Sequence, residues 1–321
     1  MIRLLVTGAS GFIGRHCLAS LRSSDIEIHA TSTKNDVRQA GVAYWHPCDL
    51  LDRESGSRLI SEVRPTHLLH LAWIATPGEY WTSPLNEEWK VASRRLAECF
   101  VASGGERMVV TGTCAEYDWS RGLCIETEEH PDPPSPYAKA KLALSKELAE
   151  VASAADMGLA WARLFWTYGP YEPQARLVPS IILSLLRDEP ALCTAGTHRR
   201  DYLYVSEVAR ALASLVRSSM VGPVNVASGT TTSVASIATA IADVMDKRHL
   251  LRLGAIQPTS AEPPLVVADV GRLQNELSFR PQHSLKAGLV ETIKWWSECV
   301  NRSDGSKACS FKPTTDGAYV A

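Results

Sequence analysis

Tyr137 and Lys141 stand four residues apart in the run Tyr137-Ala138-Lys139-Ala140-Lys141, a spacing that puts both side chains on one face of a helix. A phenol titrates near ~10 and is a poor proton-transfer group at neutral pH. An ammonium beside it favours the phenolate and lowers that value. Tyr137 is therefore expected as the acid/base and Lys141 as its activator. Thr113 follows the apolar run Val109-Val110-Thr111-Gly112. At the carboxyl end of a central strand, its hydroxyl can bind a substrate oxygen on which charge changes. Taken singly, the Tyr/Lys pair also reads as a surface helix pair, and Thr113 as a strand-end hydroxyl bonded to backbone. Their joint occurrence with a third feature selects the chemical reading.

That feature is Val6-Thr7-Gly8-Ala9-Ser10-Gly11-Phe12-Ile13-Gly14. Gly8 makes a tight turn, Gly11 lets the backbone approach a pyrophosphate, and Gly14 lets the following helix pack on the sheet. The helix N-terminus then offers N–H groups and a positive dipole end to phosphates. The expected ligand is a dinucleotide. NAD-preferring sheets carry an acidic residue at the end of strand two, ~20 residues on, to bind the ribose 2′-hydroxyl. Here that place reads Thr31-Ser32-Thr33-Lys34, and a carboxylate first appears at Asp36. Hydroxyls with Lys34 and Arg15 nearby suit a 2′-phosphate, so NADP(H) is favoured, with NAD(H) as the alternative. Asp49, after strand three, reads either as a hydrogen-bond partner of the adenine amino group or as a helix cap.

These residues need a scaffold, and the first half of the chain alternates apolar runs with amphipathic stretches in the rhythm of a parallel sheet. Strands are expected at 3–7, 27–32, 43–46, 67–72, 107–112 and 159–165. Helices are expected at 13–22, 53–63, 86–103 and 135–157, the last capped by Ser135 with Pro136 in its first turn. The fold class is α/β: a doubly wound, six-stranded parallel (Rossmann) sheet with a smaller mixed α+β substrate-binding portion. The dinucleotide-binding domain is read as 1–166, with 200–228 returning to it. The substrate portion is 167–199 and 229–300, with helices at 178–187 and 233–245, while the returning stretch 200–228 carries short strands at 202–205 and 223–227 and a helix at 208–218. Residues 301–321 are read as a flexible tail.

Composition narrows the partners. With 45% hydrophobic and 21% charged residues and a net charge of −2, the chain reads as an ordinary folded protein with no basic surface for nucleic acid or anionic membrane. No apolar run approaches the ~20 residues that span a bilayer. The first strand runs straight into the glycine turn without a secretory signal. The eight cysteines form no CxxC pair, and no metal-ligand spacing is present. The expectation is a cytoplasmic protein with reduced thiols.

Taken together, the quoted pieces resemble the extended short-chain dehydrogenase/reductases, the family of nucleotide-sugar epimerases, dehydratases and reductases. The glycine turn, Asp49-Leu50, His70-Leu71-Ala72, Thr113, Tyr137…Lys141, Arg163-Leu164-Phe165…Tyr168-Gly169-Pro170, Arg200-Asp201-Tyr202 and Asn225-Val226-Ala227-Ser228-Gly229 occur in family order over residues 1–300. The resemblance implies Thr113, Tyr137 and Lys141 as catalytic residues, Lys141 also holding the nicotinamide ribose. It implies cofactor contacts from Gly8, Ser10, Gly11, Phe12, Ile13, Gly14, Arg15, Ser32, Lys34, Asp49, Leu50, Leu71, Ala72, Trp73, Tyr137 and Lys141. It implies substrate contacts from Thr76, Cys114, Trp166, Arg176 and Arg200, with Arg200 on a nucleotide-sugar phosphate, and homodimers that pair the helices at 86–103 and 135–157.

Departures from the family pattern narrow the reaction. Family 4,6-dehydratases carry Asp-Glu directly after the catalytic threonine; here Cys114-Ala115 stand there, and Glu116, one place later, is expected to point elsewhere. Trp166 replaces an asparagine that often contacts substrate, and Thr259 stands where a second arginine is common; Arg176 or Arg199 can compensate. Trp73, Tyr80, Trp81 and Trp89 fall in a region that faces the active-site mouth in this family, where aromatic faces suit sugar rings. His70 is read as a strand residue near the cofactor, not a catalyst. The expectation is an NADPH-dependent reductase of a keto group on a nucleotide-activated deoxysugar. Its alternatives are an NAD-dependent nucleotide-sugar epimerase and a reductase of small non-nucleotide carbonyls. A regulator that has lost turnover is disfavoured by the intact Thr/Tyr/Lys set.

Overall fold

The computed structural model describes residues 1–33, 44–128, 132–257 and 263–302; Lys34, Thr259 and nearly all of the expected tail fall outside these. In chain order the first half comprises β1 (Ile2–Thr7), α1 (Phe12–Ser20), β2 (Ile26–Ser32), β3 (Tyr44–Pro47), α2 (Ser55–Val63), β4 (His67–His70), α3 (Leu85–Ala102), β5 (Arg107–Thr113), β6 (Leu123–Cys124), α4 (Pro136–Ala154) and β7 (Gly158–Leu164). The second half comprises β8 (Trp166–Tyr168), α5 (Leu177–Leu186), β9 (Ala191–Leu192), β10 (Arg199–Arg200), β11 (Tyr202–Tyr204), α6 (Val205–Arg217), β12 (Gly222–Val226), β13 (Thr232–Ser233), α7 (Val234–Val244), β14 (Leu251–Arg252), β15 (Leu265–Ala268), α8 (Gly271–Asn275) and α9 (Leu285–Arg302).

Seven parallel strands form the main sheet in the order β12-β7-β5-β4-β1-β2-β3. The doubly wound expectation holds, with one strand more than the six read from the first half. β12 closes the far edge by pairing Gly222–Val226 with Ala160–Leu164. Its Val224 and Val226 are fully buried, so their apolar side chains fix the strand in the sheet. Alternation along each strand sends side chains to opposite faces. Leu4 and Val6 join α1 and α6 on one face, while Leu5 joins α2, α3 and α4 on the other. Burying a Leu or Val side chain stabilises by about 1.5–3 kcal/mol, so the two-sided core holds the strand ends firmly.

The chain winds from β1 to β3 in one direction, then restarts at β4 on the opposite side of β1. At such a reversal a crevice opens beyond the carboxyl ends of the strands. Thr7, His70 and Thr113 are the last residues of β1, β4 and β5 at that edge.

The smaller portion is built on α5, α7 and α9, packed with Tyr168 and Tyr204 into a core of their own. A four-stranded sheet, β13-β10-β15-β6, lies beside it. The sequence reading missed β6, β8, β9, β10, β13, β14, β15, α8 and α9. Most of the missed strands are two or three residues long, too short for an alternation to show. α9 ends at Arg302, so its last two residues are helical where the tail was expected to begin.

Candidate active site

The crevice is a cleft of about 1170 Å³, lined on one side by the glycine turn and on the other by α5 and a run of aromatic side chains. In the turn, Gly8 has φ +65°, and a Cβ there would lie 2.8 Å from the Ala72 nitrogen. A Cβ at Gly14 would collide with the Gly8 carbonyl. The backbone of β1, the segment after β4 and α1 therefore close on one another only with glycine at both positions. Gly11 donates its N–H to the Gly8 oxygen at 3.0 Å and leads into α1 without a side-chain cap. The first N–H groups of α1 are thus left facing the cleft, the arrangement that binds phosphate.

β5 ends in a reciprocal cap. The Thr113 hydroxyl accepts from Ala115 N–H at 3.2 Å, and the Glu116 carboxylate accepts from Thr113 N–H at 2.8 Å. Ser135 caps α4 by accepting from Ala138 N–H at 3.2 Å, with Pro136 opening the helix. Tyr137 falls in that first turn and Lys141 one turn later, as the spacing predicts. Tyr137 shares a side-chain hydrogen bond with Thr113. The Lys141 ammonium, 3% exposed, donates to the Thr111 carbonyl at 2.9 Å and lies 3.8 Å from the centroid of the Trp73 ring.

Burial pushes Lys141 down to about 7, opposed by the charge of Glu116. Burial raises the Tyr137 phenol, with the bond to Thr113 opposing. The lowering of Tyr137 by the neighbouring ammonium, expected from spacing alone, is not what acts on the phenol here: burial dominates, and the Thr113 bond is what opposes it. Desolvation is the larger effect, and Lys141 directs its charge at a carbonyl and an indole face. His70 is held by Thr7 at 2.7 Å and Ser93 at 2.8 Å. Burial, with Lys141 nearby, lowers it to about 3, so it stays neutral and structural, as read.

Glu116 does point elsewhere. Fully buried, it accepts from Trp161 Nε1 at 2.9 Å and Arg163 Nε at 2.7 Å. Arg163 continues to the Tyr117 hydroxyl at 2.8 Å, and Tyr117 donates to Asn225 at 2.7 Å. A buried charged network thus underlies Thr113 and reaches β12. Gly112 makes room for it, since a Cβ there would meet Trp161 Nε1 and Glu116 Oε1.

Most of the expected residues converge on the cleft. Gly8, Ser10, Gly11, Phe12, Ile13, Gly14, Ser32, Leu50, Leu71, Ala72, Trp73, Thr113, Cys114, Tyr137, Lys141, Trp166 and Arg176 all line it. Ser32 donates to Ser10 at 3.2 Å, so hydroxyls and no carboxylate mark the described end of β2.

Four expected residues stand off the cleft wall. Arg15 turns back, its Nε donating to the Ser10 carbonyl at 2.8 Å and its guanidinium lying over Tyr171. Asp49 is exposed and accepts from Leu51 N–H in its own turn; the cap-like role before α2 falls to Asp52, which accepts from Ser55 N–H. Thr76 is exposed and opens a turn by accepting from Glu79 and Tyr80 N–H. Arg200 is 0% exposed. It donates to the Arg199 and Pro263 carbonyls and stands 5.2 Å from the Trp166 ring, which itself faces the cleft. Strand alternation decides this: on β10, Arg199 points out and Arg200 in.

The aromatic expectation is extended by the fold. Tyr80 and Trp81 approach Tyr137 edge-on, at 5.0 and 5.6 Å between ring centroids. Trp81, Trp119, Trp166 and Tyr202 continue as a chain of ring contacts. Trp119 and Glu172 were not singled out from sequence; they sit in a short 3-10 turn and a loop, where no periodicity marks a side chain's direction.

A parallel, doubly wound sheet carrying a glycine cradle and a Thr/Tyr/Lys set at its switch point defines a dinucleotide-dependent dehydrogenase-type enzyme. The chain belongs to the NAD dependent epimerase/dehydratase family, whose pattern it matches over residues 4–227. Among curated relatives it is 22% identical to the dTDP-glucose 4,6-dehydratase of Shigella flexneri (99% of each chain covered). It is 24% identical to the UDP-glucose 4-epimerase of Azospirillum brasilense (94% of each). Among solved structures it resembles MoeE5 in complex with UDP-glucuronic acid and NAD, with a TM-score of 0.80 and 28% identity over 92% of this chain and 99% of that one. Among the described residues no helix is long and apolar enough to cross a membrane.

Proposed function

We propose that this enzyme interconverts a hydroxyl and a keto group on the sugar of a nucleotide sugar, and that it does so as an epimerase. The observation that carries this reading is the convergence of Thr113, Tyr137 and Lys141 at the switch-point edge, facing an aromatic wall across one cleft. The glycine cradle, Ser10, Ser32 and the segment from Leu71 to Trp73 suit a nicotinamide dinucleotide, which when bound supplies the hydride acceptor and donor. Tyr137 takes the proton of the reacting hydroxyl or returns it to the keto oxygen. Thr113, hydrogen-bonded to Tyr137, holds that oxygen as its charge changes. Lys141 would hold the ribose of the dinucleotide, as the family resemblance implies, with its ammonium steadied by the Thr111 carbonyl. The aromatic wall offers apolar faces to the sugar and excludes water.

Positions 114 and 115 hold a thiol and a methyl group, and burial keeps the Cys114 thiol protonated. Neither supplies the acid/base pair of a dehydratase, which favours epimerisation despite the dehydratase relatives. A second reading, net reduction with NADPH, is favoured by one observation: Thr31, Ser32 and Thr33 line the cleft at the end of β2 without a carboxylate. As the family resemblance implies, α3 and α4, which pack side by side, would pair with their copies in a dimer; light scattering on the eluting protein tests this.

The test of function incubates purified protein with NAD(H) or NADP(H) and UDP- or dTDP-hexoses and their 4-keto derivatives. Sugar inversion seen by NMR without net change at 340 nm supports epimerisation. Stoichiometric loss at 340 nm supports the reductase. If no nucleotide sugar is converted, and none raises the melting temperature as a ligand of the folded state must, the assignment is wrong.

A further inference from the structure

Glu172 lies between the Tyr168-Gly169-Pro170 turn and the first turn of α5. Its N–H donates to the Gly169 carbonyl at 3.3 Å, and its carboxyl is itself held by a hydrogen bond from the Gly169 backbone, which leaves one carboxyl oxygen to account for. The residue is 7% exposed and borders the cleft. Its Oε2 has no hydrogen-bond partner, and among the described residues it is the one such buried side-chain atom on the cleft wall. Arg176 acts on it electrostatically, but the Arg176 guanidinium sits over the Tyr80 ring, 5.4 Å from its centroid. Tyr80 in turn lies edge-on to Tyr137 at 5.0 Å. These contacts put Glu172 on the stretch of wall that leads to the reacting centre.

An unmet buried carboxyl oxygen costs stability, and folded proteins keep few of them. Such a cost persists where a ligand later satisfies the group. We infer that Glu172 is a sugar-recognition residue, whose carboxyl oxygen accepts a hydrogen bond from a donor substituent on the sugar ring, a hydroxyl or an amino group. This rests on the nucleotide-sugar reading above. Burial pushes the carboxyl up to about 8, so near neutral pH it meets a hydroxyl as an uncharged acid, whereas an ammonium would draw it into its ionised form. A site built around such a contact also rejects sugars that lack the donor.

The experiment compares wild type, E172Q and E172L by calorimetric titration. The ligands are UDP and dTDP, their glucose and 4-amino-4-deoxyglucose conjugates, and NAD(H) and NADP(H). E172L is expected to bind the recognised sugar nucleotide roughly tenfold more weakly, with affinity for the nucleoside diphosphate and the dinucleotides unchanged. E172L alone is expected to melt at a higher temperature than wild type, because an unmet polar group has been removed. E172Q keeps a carbonyl acceptor and is expected to retain binding of a hydroxyl sugar. Loss in E172Q confined to the amino sugar identifies the amine as the donor. Unchanged sugar affinity in E172L, an equal loss for the bare diphosphate, or a loss confined to the dinucleotides overturns the inference, as does a lowered melting temperature with affinity intact. Failure of wild type to bind any nucleotide sugar overturns the functional reading, and this one with it.

Discussion

The two walls of the cleft are built by different means. The glycine-turn wall is backbone: Gly8 and Gly14 allow main chain to meet main chain, and what the turn offers the cleft is the start of α1. The opposite wall is side chain. Trp119, Trp166, Glu172 and Arg176 come from a 3-10 turn, a three-residue strand, a loop and a helix cap. A backbone site is specified by a contiguous run of residues. A side-chain wall is specified by how separate, short elements pack. The first kind binds what is common to a cofactor class; the second can be re-aimed by single substitutions and so carries specificity. Tyr137 and Lys141 stand between them, on a helix whose start is fixed by Ser135 and Pro136.

If chemistry lies at this seam, Y137F should lower kcat by about 10²–10⁴-fold while dinucleotide binding and melting temperature stay near wild type. Turnover within tenfold of wild type would remove the seam from the comparison. The support beneath it should break next. E116Q leaves Arg163 buried without its counter-charge, and breaking such a pair costs about 3–5 kcal/mol, read by denaturant unfolding. E116L/R163M should recover much of that stability. It should not recover kcat, because Thr113 N–H has lost its acceptor. Recovery of both would mean that Glu116 serves the core alone.

The third expectation concerns pH. Burial lowers Lys141 from 10.5 to about 7, so between these values the unfolded chain binds more protons than the folded one. Stability contributed by this group therefore rises with pH across that window and is lowest below pH 7. The stability of wild type relative to K141M should climb from pH 7 towards pH 10; a flat difference would mean that the ammonium is not desolvated. The smallest effect is expected on the aromatic wall. W119A should raise KM roughly 2- to 10-fold with kcat little changed. A fall in kcat of the size seen for Tyr137 would erase the distinction between a chemical seam and a recognition wall.

The fold class, the glycine cradle and the Thr/Tyr/Lys set were legible because each is local: a period of two, a period near four, a glycine where φ is positive, a cap before a helix. What tertiary structure decided is where long side chains end. Arg15, Asp49, Thr76 and Arg200 sit in the right segments yet turn to a carbonyl, a neighbouring N–H, solvent and the back of Trp166. Glu116, displaced by one position from the dehydratase pattern, becomes a buried support for Thr113. That the strand read at 223–227 closes the main sheet, and that Glu172 Oε2 is left without a partner on the cleft wall, appear only when distant segments meet. Sequence sets backbone geometry through short-range sterics and hydrogen bonding, whereas the direction of a flexible side chain depends on whichever neighbours the fold brings to it, such as Tyr171 at Arg15 and Trp166 at Arg200.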